Sequence, residues 1–149
     1  MHHRNYWMIG VVAAAGLGLA GCTTASIALP AIEIESPSHV EPIEGSELSR
    51  VTLSERAAQR LGIETTQMSS EEIDGTPRQV IPYGAVIYDT KGATWAYTST
   101  EPLTFVRQPI TIAAIDGDRV VLSEGPADGT VVVSIGAAEL YGTEYEVGH

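Results

Sequence analysis

Cysteine is almost missing from this chain: Cys22 is the only one, so no intramolecular disulfide can brace the fold. Histidine is scarce too. Beyond residue 22 only His39 and His149 remain. One lies in an acidic, proline-containing stretch and the other at the extreme C-terminus, which leaves a Ser-His-Asp or Cys-His arrangement without a base. His39 itself reads as a solvated loop residue rather than a metal ligand. No glycine-rich loop is followed by Lys and Ser or Thr to cradle phosphate, and no histidines are paired at helical spacing for zinc. Met68 is the one methionine beyond residue 22, too little for a soft-metal thioether site. Catalysis is not indicated, and no cofactor is implied.

Positive charge is the other shortage. Lys and Arg number 8 against 19 Asp and Glu, a formal net charge of −11. Removing residues 1–21 takes away Arg4 and no acid, leaving 7 against 19 and a charge of −12. Nucleic-acid phosphates need Lys and Arg to displace their counterions, so nucleic acid is not a partner of such a surface. Anionic lipid head groups are not attracted to it either.

What the chain does have begins with an export signal. Arg4 gives a positive start, and the run 6–20 is uncharged and mostly apolar, shorter than the roughly 20 apolar residues that cross a bilayer as a stable helix. It ends in Leu19, Ala20 and Gly21 ahead of Cys22. Small residues before a cysteine at such a place match the lipobox of bacterial lipoproteins. That match implies cleavage before Cys22 and acylation of its thiol. An ordinary signal peptide, or a membrane helix that happens to contain a cysteine, is the alternative. Acyl chains on Cys22 hold a protein at a membrane surface without spanning it. The expected location is a bacterial membrane, facing the periplasm or the cell exterior. Thr23 is not the aspartate that retains lipoproteins at the inner membrane in enteric bacteria, so sorting to an outer membrane is open.

Residues 22–49 form the next unit. Pro30, Pro37 and Pro42, several serines and five glutamates occur there without one Lys or Arg, which favours an extended, solvated tether. As a flexible coil it would hold the domain about 25–30 Å from the anchor. The alternation Ala-Ile-Glu-Ile-Glu over 31–35 also has the period of a short strand.

The folded domain is expected over 50–146, of a size that buries a core without disulfides or metal. A short helix reads from Ser54 to Leu61. Ser54 caps its first turn, Glu55 and Arg60 sit at the ends that suit their charges, and Gly62 gives the left-handed stop. A strand is expected over 63–68 and a loop over 69–77. Beyond that, the segments 80–81, 85–88, 94–98, 104–115, 119–122 and 130–134 are rich in Val, Ile, Thr and aromatics, residues that suit a pleated, half-buried surface. Turn clusters rich in Asp, Gly and Pro separate them. The fold class is all-β: a single small β-barrel or sandwich-like domain with one short helix, a further turn of helix being open at 137–141. Pro109 cannot donate to a ladder and argues for an edge or kink within 104–115, an edge that offers a docking surface.

Other candidate sites have structural readings. Asp116 and Asp118 flank Gly117 in the pattern of a tight hairpin rather than a cation site. Glu71, Glu72 and Asp74 read as a solvated acidic loop. Tyr83, Trp95 and Tyr97 form either core, together with Phe105, or an exposed recognition patch; Trp95 is expected to be largely buried. No partner-binding residue can be assigned from the sequence.

Several stretches resemble the periplasmic adaptor subunits, or membrane fusion proteins, of RND-type efflux pumps. These are Ile81-Pro82-Tyr83-Gly84-Ala85-Val86-Ile87-Tyr88-Asp89, Gly92-Ala93-Thr94-Trp95-Ala96-Tyr97, the Asp116-Gly117-Asp118 hairpin, and the run from Gly129-Thr130-Val131 to Leu140. They are similar to late adaptor segments that include the membrane-proximal domain, while 53–65, reading LSERAAQRLGIET, is similar to the adaptors' N-terminal start. Adaptors run outward to an α-helical hairpin and return, so that their two ends meet near the membrane. Here the two parts are joined directly through 69–77, and no stretch has the length or heptad period of the hairpin. The resemblance implies a short form covering the membrane-proximal region only.

The expected function is a lipid-anchored accessory or reduced adaptor of an efflux or export system, with a transporter subunit as partner. The alternative is a stand-alone envelope ligand-binding or structural lipoprotein unconnected to transport. The anchor is directly testable: Cys22→Ser is expected to abolish incorporation of labelled palmitate and to leave uncleaved precursor, and unchanged labelling would refute the lipobox reading.

Overall fold

The computed structural model describes residues 36–146. The chain begins with β1 (Ser38–Pro42), β2 (Ser49–Leu53) and α1 (Glu55–Leu61), followed by β3 (Glu64–Gln67), β4 (Ser69–Ile73) and β5 (Thr76–Pro82). A 3-10 turn (Tyr83–Ala85) leads to β6 (Ile87–Tyr88), β7 (Thr94–Glu101), β8 (Thr104–Pro109), β9 (Thr111–Asp116), β10 (Arg119–Glu124), β11 (Val131–Ile135) and α2 (Ala137–Glu146). The strands form two antiparallel sheets, and the fold is all-β and sandwich-like with two short helices. One sheet has seven strands in the order β1-β2-β8-β7-β11-β3, with β6 on the flank of β7. The other has four, in the order β4-β5-β10-β9. Signal and lipobox residues 1–21, Cys22 and the alternating 31–35 lie outside the described residues, and within these no helix is long and apolar enough to cross a membrane.

Both faces of the larger sheet are buried, which explains the apolar runs in its middle strands. Val133 and Tyr97 point to a core shared with Val51, Leu53 and Phe105 and covered by Ala57 of α1 and Leu140 of α2. Their neighbours Val132 and Ala96 point the other way, to Ile81, Val120, Leu122 and Met68. The period of two along a strand therefore feeds two cores, and a strand buried on both sides reads as continuous Val-Val-Val instead of alternating. The layers are helices, seven-stranded sheet and four-stranded sheet.

α1 forms where its caps place it. Ser54 Oγ accepts from the Ala57 N–H at 3.2 Å, and Gly62 adopts φ 65° with its N–H bonded back to the last turn. The Asp116–Asp118 hairpin also stands where expected, with Gly117 at φ 60° and Asp116 opposite Arg119. Positive φ at the first central residue suits the twist of a two-residue hairpin.

Four expectations are corrected. Residues 69–77 are a hairpin instead of a loop: β4 and β5 pair from Ser69 opposite Val80 to Ile73 opposite Thr76. Asp74 and Gly75 turn it with φ 52° and 74°, the two positive values of a type I′ turn, which overrides the polar composition of β4. Residues 104–115 are two strands in different sheets. Pro109 closes β8, the Ile110 N–H donates to the Thr94 carbonyl at 3.0 Å, and the chain crosses into β9. The domain also starts before residue 50. Ser38–Pro42 pairs with β2 so that Glu41 stands opposite Arg50, and that cation offsets part of the acidity from which the tether was inferred. The fourth correction is α2, which runs ten residues where at most one turn was expected. Within the aromatic set, Tyr97 and Phe105 are core, Trp95 is only half-buried, and Tyr83 is 45% exposed.

Gly136 makes the corner between β11 and α2 at φ 85°, where an added Cβ would meet Ile63 Cδ1 at 2.5 Å and the Leu61 carbonyl oxygen at 3.3 Å. Gly136→Ala is expected to cost about 1–3 kcal/mol, the scale of a strained backbone site. Gly117→Asn, at an open turn, is expected to stay within roughly 0.5 kcal/mol. Urea midpoints at constant m-value measure both.

Candidate functional site

The residues brought together by the fold, and not by the sequence, lie where α2 crosses the larger sheet. Tyr97 on β7 and Arg107 on β8 are directly opposite in register, so both point to the helix side. Trp95 precedes Tyr97 by two and shares that face. α2 lays Glu144 and Tyr145 over them. Arg107 Nε donates to Glu144 Oε1 at 3.0 Å and Oε2 at 3.1 Å, with side-chain exposures of 6% and 3%. The Tyr97 hydroxyl donates to Glu144 Oε2, and Arg107 Nη2 donates to the Tyr145 hydroxyl at 2.8 Å. The guanidinium carbon sits 4.6 Å from the Trp95 ring centroid and 5.5 Å from that of Tyr145, both within cation-π range. Tyr145 in turn packs on Tyr141 at 4.7 Å between centroids.

The network extends to the surface through Trp95, whose indole N–H donates to Asp89 Oδ2 at 3.1 Å. The other oxygen of Asp89 accepts from the N–H groups of Lys91 and Ala93, each at 2.8 Å. Loss of hydration works against the Asp89 charge, but the Ala93 amide, the indole and the Lys91 amide outweigh it and hold the carboxyl below its ordinary value. Burial, reinforced by the Glu144 carboxylate, pushes the Tyr97 phenol well above its usual range, so Tyr97 stays a neutral donor. For Arg107 burial opposes the charge, while the hydrogen bonds and attraction of Glu144 more than compensate.

This cluster is therefore a closed set of donors and acceptors. Among the described residues no buried side-chain nitrogen or oxygen lacks a partner, and no three His, Cys, Asp or Glu converge as a metal site would require. The arrangement fixes α2; it holds no unpaired nucleophile and base in reach of each other. Outside it, an open depression of about 310 Å³ lies between α1, the start of β1 and α2, with Leu53, Ala57, Leu61, Arg60 and Thr143 in its wall. Among the described residues the exposed large apolar groups are Tyr83, Tyr88, Ile115, Ile135 and Tyr145. Tyr83 and Ile135 flank one junction, since the 3-10 turn packs on β11 with Gly84 against the Ser134 carbonyl.

The structure separates the remaining sequence candidates. Asp116 and Asp118 are exposed at their hairpin. Glu71 joins Asp116 only through Arg119, at 2.9 Å and 3.7 Å, surface pairs of little energetic weight. Glu72 and Asp74 face solvent, and Met68 is core at 4% exposure. His39 is exposed on β1 beside Glu41 at 3.2 Å. Leu19, Ala20, Gly21, Cys22 and His149 lie outside the described residues. Sequence reasoning missed Arg107 and Glu144. Its available signal was a lone cation inside the strand segment Thr-Phe-Val-Arg-Gln-Pro, which a buried position obliges to find a carboxylate.

The chain matches no family model, no curated protein and no solved structure.

Breaking a buried pair by removing one partner costs about 3–5 kcal/mol, because the other charge is stranded. Arg107→Met is expected to show a loss of that size. Arg107→Met combined with Glu144→Gln, which removes the stranded charge and still accepts from Tyr97, is expected to lose less. A double-mutant comparison of unfolding midpoints decides.

Proposed function

We propose that this protein is a lipid-anchored, non-catalytic docking subunit of an envelope transport system, a short form of the pump adaptors its sequence resembles. One structural observation supports the reading above the others. The stretch 53–65, which resembles the adaptors' N-terminal start, and the run 129–140, which resembles a late segment, are joined in one sheet where β3 meets β11, with Glu64 opposite Ile135 and Thr65 opposite Val133. In the adaptors the two ends meet near the membrane, and on this reading the short β4–β5 hairpin takes the place of the adaptors' outward domains. An acylated Cys22 places the domain on the same membrane as its partner. The 14 chain steps from Cys22 to Ser36 span at most about 50 Å when fully extended, within reach of a transporter's extracytoplasmic part. Confinement to one membrane raises the effective concentration, so weak contacts suffice.

A second reading has one observation in its favour. The depression beside α1, about 310 Å³ with three apolar walls and Arg60, is at the small end of ligand sites, and an acidic amphiphile from the envelope fits its chemistry.

Photocrosslinkers placed at the exposed Tyr88 and Ile135 in cells are expected to capture a transporter component, with the unanchored Cys22→Ser form capturing far less. Deletion of the gene is expected to lower tolerance to drugs or metals. Recovery of no transporter component together with unchanged tolerance would overturn the docking reading.

A further inference from the structure

The strands that end the two sheets are β1, β3, β4 and β9, and the two-residue β6 on the flank of β7 is also paired on one side only. Three of the four end strands carry the features that keep strand edges from pairing with other chains, namely charge, short length and proline. β1 contains His39 and Glu41 and ends on Pro42; β3 has four residues and starts with Glu64; β4 contains Glu71 and Glu72. β9 differs. Its first five residues, Thr111-Ile112-Ala113-Ala114-Ile115, carry no charge, and every residue of the strand except Ile112 is exposed. Ile115 is 49% exposed. Among the described residues β9 pairs only with β10, so its outer edge presents a row of backbone N–H and C=O groups. Its register against β10 shifts twice, at Ala113 of β9, which falls between the Val121–Ala114 and Leu122–Ile112 pairs, and at Ser123 of β10, so the unbroken ladder runs over Ala114–Asp116.

The charges around this edge are of one sign. Asp116 ends the strand, Asp118 stands in the adjoining turn, and Glu124 lies opposite Thr111. The nearby cation, Arg119, is already shared between Glu71 and Asp116. A second copy of the chain is a poor occupant: antiparallel self-pairing centred on β9 sets Asp116 of one copy opposite Thr111 of the other, whose β10 partner is Glu124, and so gathers acids at both ends of the pairing.

We propose that β9 is a strand-addition site for an extended segment of a partner protein in which apolar residues alternate with Lys or Arg. The inference rests on the docking reading and specifies the surface that docks. Backbone hydrogen bonds along 111–116 supply the affinity, and the acids at both ends select a basic segment and fix its register.

The test uses the mature full-length protein in detergent micelles and a capped synthetic peptide of alternating valine and lysine, with hydrogen exchange followed by amide. The expected result is slowed exchange within 111–116. A valine–glutamate peptide, and a valine–lysine peptide N-methylated at alternate amides, are expected to give none. Ala113→Lys, at an exposed position, is expected to weaken valine–lysine binding about tenfold or more with an unchanged unfolding midpoint, and Ala113→Ser to retain it. Absence of protection, protection elsewhere, or equal protection by the glutamate peptide overturns the proposal. So does a dimer that Ala113→Lys abolishes, which assigns the edge to a second copy. Undiminished capture of a transporter component in cells by the Ala113→Lys protein overturns the edge assignment while leaving the docking reading intact; peptide binding at β9 with no transporter captured does the reverse.

Discussion

The buried pair between Arg107 and Glu144 is the constraint on which the arrangement of the helix layer depends. α2 has weak intrinsic reasons to form: Gly142 interrupts it, no basic residue stands in its last turn, and its apolar pattern is shallow. Residues 137–140 are held by burial of Ala137 and Leu140, but the turns beyond them are held by Glu144, gripped by Arg107 and Tyr97 at a site with almost no water. A charge in that position is stable only with its partner in place. The pair therefore specifies where α2 lies more than it adds net stability. Because Arg107 also stacks on Trp95 and Tyr145, one guanidinium ties together β7, β8 and α2.

A second constraint is the passage of the chain between sheets at Pro109. Proline has no N–H to give a ladder, so β8 ends there, and a single residue later the chain is a strand of the other sheet. Strands that change sheets close the corners of sandwiches. Here the crossing carries Ile110 into the second core and sends β9 to the outside of the smaller sheet. The same proline that ends one strand thus produces the exposed edge of the next. Where β1, β3 and β4 carry charged residues, β9 carries none before Asp116, and the proposed strand-adding partner rests on that difference.

The two cores differ in what they join. The helix-side core pins the first and last parts of the domain to each other, through Val51 and Leu53 on one side and Val133, Ala137 and Leu140 on the other. The second core joins the two sheets without a buried aromatic, through Met68, Ile81, Ile110, Val120, Leu122 and Val132 with Ala85 and Ala96. Among the described residues the exposed large apolar groups are spread over the 3-10 turn, β6, β9, the end of β11 and α2.

The sequence by itself determined what depends on local backbone chemistry. Ser54, Gly62 and the charges of α1 write that helix in full, and Asp116-Gly117-Asp118 writes its hairpin, because caps and turns are satisfied by residues within a few positions of each other. Period-two and continuous apolar runs determined the all-β class for the same reason. Asp74-Gly75 was equally legible as a hairpin turn, but the polar Ser-Ser-Glu-Glu of β4 masked it. Tertiary structure alone decided the rest: that β1 leaves the acidic stretch to pair with Arg50's strand, that Tyr97 is core while Tyr83 is surface, and that Arg107 meets Glu144 across 37 positions. These depend on which strands become neighbours, and neighbourhood is fixed by the summed burial of both cores, which no single stretch of sequence contains.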